Sequence, residues 1–166
     1  MARKAEQLKT ELVEKAAALA VKRLDGPRAE AAARFIREFY ANVSPDDLVG
    51  AEVENLYCAA LSLWNHGQKR LPGQAKVRVF NPRVDEHGWF SAHTVVEIVN
   101  DDMPFLVDSV TAELGRDDLT VHLVIHPVIE VARDAQGQIV EEGAHRSPVH
   151  HIFSRALDVR TSFRYT

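Results

Sequence analysis

From Ala2 to Leu24 apolar residues recur at Leu8, Leu12, Ala16, Leu19, Ala20 and Leu24 among strong helix formers, with no Gly or Pro between them. This spacing predicts an amphipathic helix stopped by Asp25-Gly26-Pro27. A second helix is expected from Pro27, which suits a first turn, with Ala31, Phe35, Ile36, Phe39 and Tyr40 as its buried stripe. A third should follow Ser44-Pro45-Asp46-Asp47, bury Val53, Leu56, Tyr57, Ala60, Leu61 and Trp64, and stop at Gly67. After "KRLPGQA" the period changes to alternation. Val77 and Val79 share one face of a strand, Asn81-Pro82 interrupts it, and "DEHG" turns the chain into "WFSAHTVVEIVN", so the two strands read as an antiparallel hairpin.

The next stretch, "NDDMPFLVDSV", is read as a helix start. Asp102 stands where an N-cap or first-turn acid would stand, Pro104 fits the first turn, and Met103, Leu106, Val107, Val110 and Leu114 follow at helical spacing. "LTVHLVIHPVIEVARD" is the strongest strand signal, with a bend or bulge at Pro127, and "AQGQ" is the next turn. A last strand is placed within Val149 to Val159. Three helices followed by strands around one helix predict an α+β fold with an antiparallel sheet. The division expected is a helical extension over residues 1–70 and an α+β domain over 75–166.

Composition narrows the function classes. A chain of 166 residues with 46% hydrophobic and 27% charged residues has the make-up of a folded soluble domain. No apolar run has the length of a membrane span, the N-terminus does not read as a signal peptide, and a single cysteine, Cys58, fits a reducing compartment; the expectation is a cytoplasmic protein. Residues 85–118 carry Arg116 alone against nine carboxylates, which argues against nucleic acid as a partner.

Candidate chemistry is sparse. Adjacent Asp101 and Asp102 leave a strand toward opposite faces, which does not suit a general acid/base pair. His122 and His126 lie roughly 13 Å apart along a strand, too far for one zinc ion, and His150 and His151 point to opposite faces of theirs. Cys58 lacks a local base and reads as a packed small residue. No glycine-rich dinucleotide fingerprint or P-loop occurs, so no catalytic, cofactor-binding or metal site is assigned. A strand feeding a helix does expose backbone N–H groups that can hold a carboxylate or another anion. From its residues the chain reads as a binding or interaction module. The alternatives are an oligomerisation scaffold without a ligand, and a small stand-alone enzyme using Asp101, Asp102 and the histidines.

Four ordered blocks, "LYCAALSLW", "KVRVFNPRVDEHGW", "HTVVEIVNDDMPFLVDSV" and "LTVHLVIHPV", resemble the N-terminal region of the large bacterial NAD-specific glutamate dehydrogenases across roughly residues 30–131. That resemblance implies a non-catalytic regulatory or assembly module with an ACT-like domain. It also implies an enzyme whose NAD and glutamate sites lie in downstream domains. The partners it implies are those downstream domains, further copies of the chain contacting through a sheet edge or helices, and an amino-acid effector. ACT domains are βαββαβ units whose first strand-to-helix turn commonly reads Asp-x-Pro-Gly; Asp102, Met103, Pro104, Phe105 and Leu106 follow that pattern except that Phe105 replaces the glycine. The implied effector-binding turn is Asn100, Asp101, Asp102, Met103, Pro104, Phe105 and Leu106. The unit is expected to lack its second helix and last strand, leaving a ββαββ sheet with one helix and one edge to be covered.

Overall fold

In the computed structural model, which describes residues 2–117, 119–142 and 150–160, the helical half follows the apolar periodicity closely. Helix α1 spans Ala2–Arg23, α2 spans Pro27–Ala41 with proline at its first turn, and α4 spans Val53–Gly67. Between them lies α3, a single turn over Pro45–Leu48. The expected third helix is therefore split: Val49 is extended and Gly50 adopts φ 81°, so the turn begun at Pro45 cannot continue into α4. The buried face of α1 is also narrower than its leucines suggested. Val13, Ala16, Ala17 and Ala20 are buried, whereas Leu8 is exposed and Leu12, Leu19 and Leu24 flank the core. Small residues let α1 lie closely against α2, which offers Ala32 and Ala33 there.

Strands β1 (Lys76–Phe80) and β2 (Thr94–Asn100) form the expected antiparallel hairpin, with the short helix α5 (Val84–His87) and the left-handed Gly88 between them. Helix α6 (Leu106–Arg116) follows, then β3 (Thr120–Ile125) and β4 (Val128–Arg133), separated at Pro127 where a bend was expected. Strand β5 (Ile139–Glu142), not foreseen because only Ile139 and Val140 give it an apolar signal, forms a hairpin with β4. Strand β6 (His150–Arg160) ends the described chain. The second helix and last strand expected to be missing would fall beyond it, outside the described residues.

All pairings are antiparallel, and β6 is their centre. One edge of β6 pairs with β2; its other edge pairs with β3 and then β4, so β3 and β4 act as one interrupted strand. Strands β2 and β3 consequently run parallel with β6 between them, joined by α6 in a split βαβ arrangement. The edge of β2 that would otherwise lie open is paired with β1.

The sheet is packed on both faces. Val99, Ile125, Ile129 and Val131 join the core shared with α1, α2 and α4. On the opposite face Ile98 is covered by Val110 and Leu114 of α6, with Val96, Val121 and Val124 alongside. Val77, Val79 and Val128 stay exposed, because the single helix on that side does not reach them.

The β4–β5 turn is bolted to the segment after α4. Asp134 Oδ1 accepts from the N–H groups of Gln136 and Gln138, the N–H of Arg70 donates to Gly137 O at 2.9 Å, and that of Ile139 donates to Gln68 O at 3.0 Å. Gly137 has φ 78°, and a β-carbon there would sit 2.4 Å from Arg70 O. Gly137→Ala should therefore lower the unfolding free energy by about 2–3 kcal/mol, measured by urea denaturation, since it combines backbone strain with a clash against main chain.

Candidate functional site

The β2–α6 turn differs from the expected helix start in one main respect. The helix begins at Leu106, the residue before it is Phe105, and no side chain caps it, so Asp102 is not an N-cap and Pro104 stands outside the first turn. The reason lies in Asp101. Its carboxylate accepts from Arg70, Nη1 to Oδ2 at 3.3 Å with a closer bond from Nη2 to Oδ1, and from the Gly73 N–H at 3.3 Å. The Arg70 side chain is 1% exposed, and an uncompensated buried guanidinium would be costly. Asp101 is thus the counter-charge that holds the 70–74 loop against the sheet, and its backbone is committed before a cap at Asp102 could form.

Chain direction then reverses at Phe105, the sole described non-glycine residue with positive φ, at φ 59° and ψ 11°. This is the conformation a glycine would take freely, and it costs an L-residue about 1–2 kcal/mol. The ring does not fill a pocket at the turn: it is 76% exposed, beside a half-exposed Met103. Asn100 donates toward Met103 Sδ at 3.6 Å, and the Phe105 carbonyl accepts the first helical bond, from Ser109 at 2.9 Å. Asp102 and Pro104 are exposed and Leu106 is half-buried.

Among the described residues, those of a stand-alone active site are not brought together. Asp101 is tied to Arg70, His93 stacks on His122 with centroids 4.6 Å apart, and His87 lies against Phe80. Among the described residues no cluster of three or more His, Cys, Asp and Glu side chains could hold a metal ion. The side chains of His150 and His151 lie outside the described residues. Burial, and then the neighbouring Glu54, push the Cys58 thiol up, which keeps it protonated and poorly nucleophilic.

Periodicity alone did not reveal a second feature, a cavity of about 190 Å³ between the helices and the sheet that opens to solvent. Its walls come from α2, α3, α4, β2, β3 and the segment Trp89–Ser91. Asn55 of α4 clasps that segment from both sides of its amide, Nδ2 donating to Phe90 O and Oδ1 accepting from Phe90 N, each at 3.3 Å. Glu97 of β2, 1% exposed, forms part of the wall. Ser62 Oγ donates to its Oε1 at 2.9 Å, and Arg78, its cross-strand neighbour, donates through Nε at 3.1 Å and more closely through Nη2. Burial raises the Glu97 pKa, and Arg78 pulls it back part of the way. The sequence signal, Arg78 opposite Glu97 on the hairpin, is readable only once the register is known.

Residues 35–157 match the family described as glutamate dehydrogenase, ACT1 domain, a span running from α2 into β6. The chain belongs to that family. The NAD-specific glutamate dehydrogenase of Halomonas elongata is 44% identical over 117 residues, 70% of this chain and 7% of that protein. The one from Pseudomonas aeruginosa is 38% identical over 107 residues, 64% of this chain and 7% of that protein. The match thus spans a small part of these relatives. No solved structure matches the chain significantly. The ACT1 match extends past the blocks that first suggested it, taking in β4, β5 and most of β6. No described helix is long and apolar enough to cross a membrane.

The Glu97 network makes a pH-dependent prediction for this ACT1 domain. Arg78→Met leaves a buried carboxylate without its cation, which should cost about 3 kcal/mol at pH 7. The Glu97 pKa, already raised, climbs further in the variant. Its carboxylate then takes up a proton as pH falls through that value, and the gap to the parent protein closes. Urea denaturation at pH 7 and pH 4.5 should show the smaller difference at the lower pH.

Proposed function

We propose that this chain is a non-catalytic regulatory and assembly module of an NAD-specific glutamate dehydrogenase. The parent enzyme would oxidatively deaminate L-glutamate to 2-oxoglutarate and ammonia with NAD, using domains elsewhere in a much longer polypeptide. The observation that carries this reading is the ACT1 match over residues 35–157 inside relatives of that name, of which the matched segment forms 7%. The residues here do not fit a dinucleotide. The strand-to-helix turn places Asp101, Asp102 and Phe105 where a pyrophosphate would need glycines and no opposing carboxylates.

The geometry supports contact with other protein. Phe105 combines a strained backbone with an exposed ring, so it gives this chain neither burial nor relaxed geometry. Met103 beside it and Val77, Val79 and Val128 on the sheet are exposed as well. Partners for such surfaces are the downstream domains of the same polypeptide and further copies of the chain.

A second reading, amino-acid binding at Asn100–Leu106, is supported by the uncapped start of α6 together with a ring turned to solvent, which leaves main-chain N–H groups for a carboxylate. Calorimetric titration of the turn with amino acids should give heat at millimolar ligand; none would leave assembly alone.

Two measurements test the module reading. In the isolated chain, Phe105→Gly should be neutral to stabilising by up to about 1 kcal/mol in urea denaturation, since relief of left-handed strain offsets the entropy of glycine. In the long polypeptide, the parent should reduce NAD with glutamate while the 166-residue chain alone does not. Phe105→Gly should then alter oligomeric state by light scattering, or cooperativity, with the catalytic chemistry intact. A long polypeptide without glutamate-dependent NAD reduction would overturn the assignment.

A further inference from the structure

The cavity between the layers has the attributes of a ligand site. Its inner wall includes Tyr40, Val95, Leu56 and Trp89, all of them buried. Asp47 and the 57% exposed Phe90 mark its mouth. Its volume, about 190 Å³, exceeds that of apolar protein cavities of about 150 Å³ that take up benzene.

The polar groups in the wall decide what fits. Four are already committed: the Tyr40 hydroxyl donates to Leu56 O at 2.9 Å, the Asn55 amide is used on both sides by Phe90, Ser91 Oγ accepts from the His93 N–H at 3.0 Å, and Glu97 is held by Ser62 and Arg78. Trp89 is not. Its indole Nε1–H is buried and has no acceptor among the described residues, although its ring packs edge-on against Phe80. A buried donor without an acceptor carries a desolvation penalty, which an acceptor atom on a guest molecule would remove. Charge selects further. The lining includes the Asp47 carboxylate and Glu97, whose charge Arg78 already answers, and no Lys, Arg or His, so an anionic guest would be desolvated without a free cation to pair with.

We propose that this cavity binds a compact, uncharged organic molecule with an aromatic or branched apolar body and one hydrogen-bond acceptor directed at Trp89. The site is distinct from the β2–α6 turn and does not depend on the dehydrogenase reading. Because α2, α4, β2 and β3 all contribute wall, a guest there would bridge the helical layer and the sheet.

Three probes of similar size separate the contributions: p-cresol, with an apolar body and an acceptor oxygen; toluene, without the acceptor; and benzoate, with a negative charge. In calorimetric titrations of the 166-residue chain, p-cresol should bind with a sub-millimolar Kd, toluene about tenfold more weakly, and benzoate not at 10 mM. The tenfold ratio corresponds to ~1.4 kcal/mol for the indole hydrogen bond. Trp89→Phe should erase the preference for p-cresol over toluene, and Ala59→Leu, which fills the cavity from α4, should abolish binding of both. Amide chemical shifts of the unaltered protein on adding p-cresol should move at the lining residues, a readout that needs no variant to fold. Equal binding of benzoate, shifts confined to residues outside the lining, or no binding of p-cresol at millimolar concentration would each overturn the proposal.

Discussion

Helix α4 is buried on two sides, against α1 and α2 and against the sheet, and this imposes a constraint that much of the structure answers. The last carbonyls of a helix have no partner within it and cannot be left dry. Here they are met by cations from the sheet. Arg133 donates to Gly67 O at 2.7 Å and to Gln68 O at 3.1 Å, and Lys76 Nζ donates to His66 O at 2.8 Å. Positive charge at that end of a helix also complements its dipole. The arrangement is tight enough that burial, reinforced by nearby Arg70, brings the Arg133 pKa down to about 10. Burial and the same class of neighbours hold His66 near 4, so it stays neutral there. The β4–β5 turn, the 70–74 loop and β1 all derive their positions from this junction.

Asp101 belongs to that junction more than to the turn that follows it. As the counter-charge to Arg70, it links a feature of the helical layer to the strand-to-helix reversal at Phe105. The site suggested by motif and the packing of the two layers are therefore one mechanical unit. The cavity on the other side of α4 is the complementary case. There Asn55 anchors the 89–91 segment, and the sheet supplies a buried carboxylate, Glu97, that needs both layers to satisfy it.

Much of the architecture was legible because it rests on local periodicity. The stripes of α2 and α4, the β1–β2 hairpin, the bend at Pro127 and the α+β class all follow from spacing and from Gly and Pro punctuation. What was not legible depends on long-range contacts. The break between α3 and α4 needs the left-handed Gly50, which a sequence shows only as a glycine. The start of α6 moved from Asp102 to Leu106 because Asp101 is claimed by Arg70, 31 residues earlier. Strand β5 is too short to announce itself, and exists because β4 and the Arg70 segment hold it in place. At the turn after β2 the departure of Phe105 from a glycine pattern was legible in the sequence, whereas the outward course of its ring was not.

Strand β6 is the last described element in sequence and the middle one in space. During synthesis the helical layer and the β1–β2 hairpin leave the ribosome well before their central partner does. Until Arg160 has emerged, the inner edges of β2 and of β3–β4 have nothing between them, and the two halves of the sheet cannot join. Sheet closure is therefore a late event with high contact order, expected to be slow beside formation of the helices. A nascent chain paused in that interval would carry two unpaired strand edges, the configuration in which a chaperone, or a neighbouring copy's β6, has most to offer.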